Sequence, residues 1–186
     1  MLAAAIAVVL LAAGLAAVLL YNRLVKLRTF TEEGWAQVGV QLTRRADLIP
    51  NLVTTVSGYA THEAELFATV AQLRAASVAG AEDTPEERGK VEAQLSGALA
   101  QVLAVAENYP DLKASQNFLA LQTELAGTED RIAAARRMFN ANVRDYNTAC
   151  STLPSNLVAR VGGFTPAQFF QADDAARALP PVQPGR

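Results

Sequence analysis

The sequence predicts an all-α protein: a single N-terminal transmembrane helix followed by a long antiparallel helical bundle of three to four segments. Three observations carry this. Residues 1–20 hold no charged side chain. Large apolar residues then recur at spacings of seven, the period of a packed helical seam. The composition is rich in Ala, Leu, Gln, Glu and Arg, which favour helix, and no stretch alternates apolar and polar residues as a half-buried strand would.

The N-terminal segment sets the first boundary. As a helix, its apolar run would reach about 28 Å at the usual rise per residue, close to the hydrocarbon thickness of a bilayer. A cleaved signal peptide is the rival reading. It fits less well, because the run lacks a basic start and exceeds the length of a usual signal core. Tyr21 suits the membrane interface, where ring and hydroxyl each find a favourable medium. Arg23, Lys26 and Arg28 follow closely, and no Lys or Arg precedes the run. The positive-inside rule therefore places the N-terminus outside and the remainder in the cytoplasm, as a single-pass protein of the cytoplasmic membrane. Ala3, Ala7, Gly14 and Ala17 lie near one face and would allow close approach of a second membrane helix.

Residues 21–150 form the expected bundle, with helical segments near 22–79, 85–108 and 112–150. In the first, Trp35, Leu42, Ile49 and Val56 are seven apart, while Val38, Leu52, Tyr59, Leu66 and Leu73 follow a companion row. Arg45 occupies the charged position of that row. The phase does not slip at Pro50, whose missing N–H and bulky ring disturb a helix interior. An unbroken stripe favours a kink there over a corner. Gly80 and residues 82–85 then make a turn, with Thr84 suited to the N-cap and Pro85 to the first helical position. The next stripe is Val91, Leu95, Ala98, Val102 and Val105. The last long segment carries the cleanest seam: Phe118, Leu125, Ile132, Phe139 and Tyr146. Leu153 and Pro154 end it. Residues 151–179 read as a loop with a short helix starting near Thr165, and residues 180–186 as a disordered tail.

Chemistry is harder to place. Net charge is −2, from 16 Lys and Arg against 18 Asp and Glu, so no basic field suits nucleic acid. His62 is the sole histidine, position 66 is Leu and position 59 is Tyr, which excludes the paired-ligand spacings of zinc peptidases and di-iron bundles. Cys150 is the sole cysteine and has no obvious base. We expect no metal, cofactor or catalytic residue. The candidate interaction or kink patch is Arg44, Arg45, Asp47, Pro50 and Asn51. Either it recognises a partner, or it caps and salt-bridges a helix break, with Asn51 supplying an amide to the carbonyls that Pro50 frees. The second reading is favoured, since polar groups at helix breaks usually satisfy backbone. Asn140 and Asn147, seven apart beside Phe139 and Tyr146, are read as setting register.

Taken together, several blocks resemble the LemA family: YNRLVKLR at 21–28, QLTRRADLIPNLV at 41–53 and GYATHE at 58–63. The resemblance continues through ENYPDLKASQNFLALQTELAGTEDRIAAARRMFN at 107–140, YN at 146–147 and LPSNLVARVGGF at 153–164. Leu153 stands where the family typically has an aromatic, and Phe139 where it has Tyr. The resemblance implies a bacterial membrane protein with one anchor, a helical bundle and no defined enzyme activity. It also implies association with membrane metalloproteases and envelope stress. The expected function is a membrane-anchored scaffold whose partners are the lipid bilayer, further copies of itself and a membrane protease or envelope protein. An adaptor or regulator of such a protease is the alternative.

Overall fold

A computed structural model describes residues 1–171 of the chain. The expected tail at 180–186 lies outside them. Every regular element among the described residues is helical: α1 Leu2–Ser57, α2 Ala64–Ala79, α3 Pro85–Ala106, α4 Pro110–Lys113, α5 Gln116–Ser151 and α6 Ser155–Val161, with one 3-10 turn at Gly80–Glu82. α1 runs unbroken through Pro50. The interruption in the first segment falls instead at residues 58–63, where Gly58, Tyr59, Thr61 and His62 lie in turns. Tyr59 is consequently exposed and leaves the companion row. Residues 164–171 are irregular, and the short helix of the C-terminal region is α6, ahead of Thr165.

The chain forms two compact units, both built partly from α1 and α5. The first comprises Met1–Gly39 and Ala133–Phe169. Here Trp35 packs on Phe139 with ring centroids 5.2 Å apart. Asn142 Nδ2 donates to the Phe30 carbonyl at 2.8 Å, and Leu24 joins Ala149 and Ala159 in a small core. Contacts descend α5 as they ascend α1, so the two helices run antiparallel within this unit. They approach closely at Gly34, where an added Cβ would lie 3.2 Å from Asn142 Nδ2 and 3.4 Å from the Phe139 Cα. Phe139 and Tyr146 are buried and Trp35 is half-buried. Burial, and next the hydrogen bond to the Cys150 thiol, push the Tyr146 phenol up to about 12. Asn147 clamps the C-terminal segment from both sides: its Nδ2 donates to the Ala167 carbonyl at 2.9 Å, and its Oδ1 accepts from the Ala167 N–H at 2.8 Å. Phe164 packs partly into the small core and meets Tyr21 edge to face at 5.4 Å.

The second unit comprises Val40–Ile132 with Phe170 and Gln171. Its core gathers Ile49, Leu52 and Val56 of α1, Val70 of α2, Leu95, Leu99 and Val102 of α3, Leu112 of α4, and Phe118 and Leu125 of α5. Each fully buried side chain of this kind stabilises by roughly 1.5–3 kcal/mol relative to exposure. Leu42 and Ile132 are buried as well. α3 begins with a capping box: Thr84 Oγ1 accepts from the Glu87 N–H, and the Glu87 carboxylate accepts from the Thr84 N–H. That bonding, led by the Thr84 hydroxyl, holds the Glu87 carboxyl below its usual range. The buried face of α3 differs from the all-apolar stripe expected. Arg88, Glu92, Leu95, Leu99, Val102 and Ala106 point inward, whereas Val91 and Val105 are half-buried. Two charged residues therefore sit on the inner face of a helix, and α1 explains why.

Candidate functional site

The polar residues near Pro50 build a buried ionic joint between α1, α2, α3 and α5 within the second unit. Arg45 lies one turn before Ile49 on the inward side of α1 and is 1 % exposed. Its guanidinium forms an ion pair with Glu92 of α3 through Nη2. Nη1 donates to Ser96 Oγ at 2.7 Å and to Glu129 Oε1 of α5 at 2.8 Å. The second Glu92 oxygen accepts from Ser77 Oγ of α2 at 2.7 Å and lies 3.6 Å from Arg88 Nε. Arg88 Nη1 in turn donates to the Ala81 carbonyl at 3.2 Å, holding the turn that precedes α3. One carboxylate thus links two guanidiniums, and four helices contribute to the set. Such a group is stable only when nearly every lone pair and proton is bonded, because desolvating each ion costs several kcal/mol.

Pro50 accounts for a second buried polar contact. Its nitrogen has no hydrogen to give the carbonyl of Ala46, the residue four before it, and Ala46 is buried. Arg74 of α2 supplies the missing donor: its Nε reaches the Ala46 oxygen at 2.6 Å. The expectation that Asn51 would serve is thereby corrected. Asn51 is exposed, one residue beyond the proline and on the outer side of α1, and its own carbonyl accepts from Thr55 Oγ1 at 2.8 Å. The proline leaves a carbonyl open within an otherwise continuous helix, and a side chain from a different helix closes it.

The five residues of the expected patch do not converge. Arg45 turns inward. Arg44 makes a half-exposed pair with Glu124 at 3.0 Å, while Asp47, Pro50 and Asn51 remain on the surface. Arg74, Ser77, Glu92 and Glu129 complete the joint and were not singled out from the sequence. Glu92 carried a readable signal: it stands three before Leu95 and seven before Leu99, on the same face, so a carboxylate occupied an inward position with a seam arginine needing a partner. Arg74 carried none, because only the fold brings α2 beside Ala46. His62 lies exposed in the turn before α2, and Cys150 is half-buried beside Tyr146. Among the described residues, no three His, Cys, Asp or Glu side chains gather as a metal-binding group.

α1 also holds the one helix among the described residues long and apolar enough to cross a membrane. The most apolar window of that helix buries nothing inside the protein. The molecule is thus an all-helical protein with an apolar N-terminal span and an internally bonded ionic joint. Comparison with known proteins makes that class specific. The LemA family model matches residues 34–183, and the chain belongs to the LemA family. It is 31 % identical to protein LemA of Metamycoplasma hominis, over 72 % of this chain and 60 % of that protein. It is 28 % identical to magnetosome protein MamQ 2 of Paramagnetospirillum magneticum and 27 % identical to magnetosome protein MamQ of Magnetospirillum gryphiswaldense, over 83 % of this chain and 66 % of each. The matches thus span less than two thirds of the length of these relatives.

Proposed function

We propose that the chain is a non-enzymatic, membrane-anchored helical scaffold that works by self-assembly and by binding membrane or protein partners. The observation that carries this reading is α1 itself: one uninterrupted helix holds both the apolar span and the seam residues Leu42 and Ile49 of a packed core. The same helix thus supplies both a membrane span and part of a packed core. The ionic joint supports the same reading, since the charges of Arg45 and Glu92 are bonded to each other and away from solvent. Arg44, Asp47, Pro50 and Asn51 are the exposed residues of α1 we assign to partner contact. We assign the span to the inner membrane with the N-terminus outside and the remainder in the cytoplasm, a reading that the positive charge of Arg23, Lys26 and Arg28 supports.

Cross-linking of the full chain in native membranes, followed by native mass spectrometry, tests the scaffold. Discrete multimers are expected, and a strictly monomeric protein at cellular density contradicts it. Recovery of a membrane metalloprotease as the stoichiometric cross-linked partner would favour the adaptor reading instead. Protease added to intact spheroplasts should leave the helical part uncut, and its digestion would reverse the orientation.

A further inference from the structure

The surface of α6 is apolar where a soluble helix would be polar. Leu157 is 57 % exposed and Val161 is 91 % exposed; one turn apart, they share a face. Leu153, in the turn leading to α6, is 75 % exposed. The opposite side of α6 is well packed: Ala159 is buried and Val158 half-buried against Leu24 and Ala149, so the element is fixed on α1. Three large aliphatic side chains face outward with no neighbour among the described residues that buries them.

The position along α1 identifies what covers them. Leu157, Val158, Val161 and Gly162 share an apolar groove with Ala17, Val18 and Tyr21. Ala17 and Val18 belong to the apolar run that ends at residue 20, and Tyr21 is its first polar-tipped residue. Phe164 fixes the level by its edge-to-face contact with the Tyr21 ring. α6 therefore lies beside the last turn of the span, where hydrocarbon gives way to headgroups. Arg160 is exposed in the last turn of α6, and the exposed Arg23 and Lys26 follow the apolar run on α1; such charges match lipid phosphates.

We propose that α6 is a second membrane contact, laying Leu157 and Val161 into the acyl-chain boundary of the same bilayer that α1 crosses. The inference rests on the anchor reading of α1, from which the bilayer level is taken. An interfacial helix needs an apolar face, a basic residue that reaches headgroups and a fixed depth, and α6 has all three. The contact would fix how α1 and the C-terminal end of α5 meet the membrane surface, which a lone spanning helix leaves free to rotate.

The test uses the full chain in vesicles of dibrominated phosphatidylcholine, with an environment-sensitive fluorophore on single cysteines introduced into a Cys150→Ser background. Labels at Leu157→Cys and Val161→Cys should lose several-fold more fluorescence than one at Met138→Cys, an exposed position of α5. A label at Leu10→Cys reports the anchor. Quenching at 10 with positions 157 and 161 no brighter or dimmer than 138 overturns the α6 contact and leaves the anchor standing. No quenching at 10 removes the anchor reading and this inference with it. Copy-to-copy cross-links through 157 and 161 without quenching would assign the face to a second copy and overturn the contact. In the unmodified protein, a photoactivatable phosphatidylcholine should label residues 157–161, and absence of label there contradicts the proposal.

Discussion

The two units hold their helices together by different means. In the first, α1 and α5 meet through rings and amides, Trp35 on Phe139 and Asn142 on the Phe30 carbonyl, and Asn147 of α5 holds the C-terminal segment at both sides of Ala167. In the second, an apolar core is accompanied by the buried Arg88, Glu92 and Arg45 set, and Arg74 closes the carbonyl opened by Pro50. Neutral contacts tolerate changes of charge state elsewhere and fail one at a time. A buried ionic set is cooperative, because removing one member strands the charge of another. The difference predicts that substitutions of equal size will cost most where charge is buried.

The largest expected effect is Arg45→Ala, which leaves Glu92 buried and facing a cavity. A loss of about 3–5 kcal/mol is expected for breaking a buried pair, read as a shift in the urea midpoint of the full chain in nanodiscs. An unchanged midpoint would mean the guanidinium contributes no more than a surface charge. Replacement of the whole set by Arg45→Met, Arg88→Met and Glu92→Met should restore stability to within a few kcal/mol of the parent or above it, as apolar replacement of buried ionic triads commonly does.

The next effect concerns Pro50. Arg74→Ala should destabilise by about 1–3 kcal/mol, the cost of an unsatisfied buried carbonyl. In a Pro50→Ala background residue 50 regains its N–H and can bond Ala46, so the same Arg74→Ala change should cost much less. Helicity by circular dichroism is expected to persist in Pro50→Ala. Additive effects in this double-mutant cycle would show that Arg74 does not answer the proline.

That pairing shows how much of the molecule can be read from its sequence. Heptads locate local periodicity well, which is why the buried rows Leu42 with Ile49 and Phe118 through Tyr146 were legible. The Thr84 cap was legible because its donors and acceptors lie within one turn. The break after Ser57 was not: Gly58 is a weak signal beside Pro50, which stands eight residues earlier within the apolar stripe. The polar joint was half visible. Arg45 on a seam announces the need for a partner, but which carboxylate answers depends on the packing of α3 against α1, and Arg74 depends on α2 folding back over Ala46.

In the first unit the comparison predicts sensitivity to alkali rather than to charge deletion. Tyr146 is neutral and buried, with its phenol raised from 10.0 to about 12. The unfolded chain ionises it first, so the folded state binds more protons between these values and stability falls as pH rises through that window. The slope is at most about 1.4 kcal/mol per pH unit. Tyr146→Phe should flatten it, and an unchanged slope in that variant would assign alkaline sensitivity elsewhere. The smallest effect is at the α3 cap. Thr84→Ala should cost about 1 kcal/mol. The contribution of Glu87, whose carboxyl is held low, is present above its ordinary value and lost as pH falls below it. Thermal unfolding of the Thr84→Ala variant across the acid range should therefore show a shallower decline than the parent.

The central claim is that charge at the joint gives shape and that the chain works through assembly rather than through chemistry at those groups. The triple replacement Arg45→Met, Arg88→Met and Glu92→Met tests it most directly when the variant is cross-linked in native membranes and its assembled mass is measured. The account predicts parental helicity and the parental set of multimers. A fully folded variant that has lost its multimers would contradict it, and would make the buried ions part of what the protein does rather than of what holds it together.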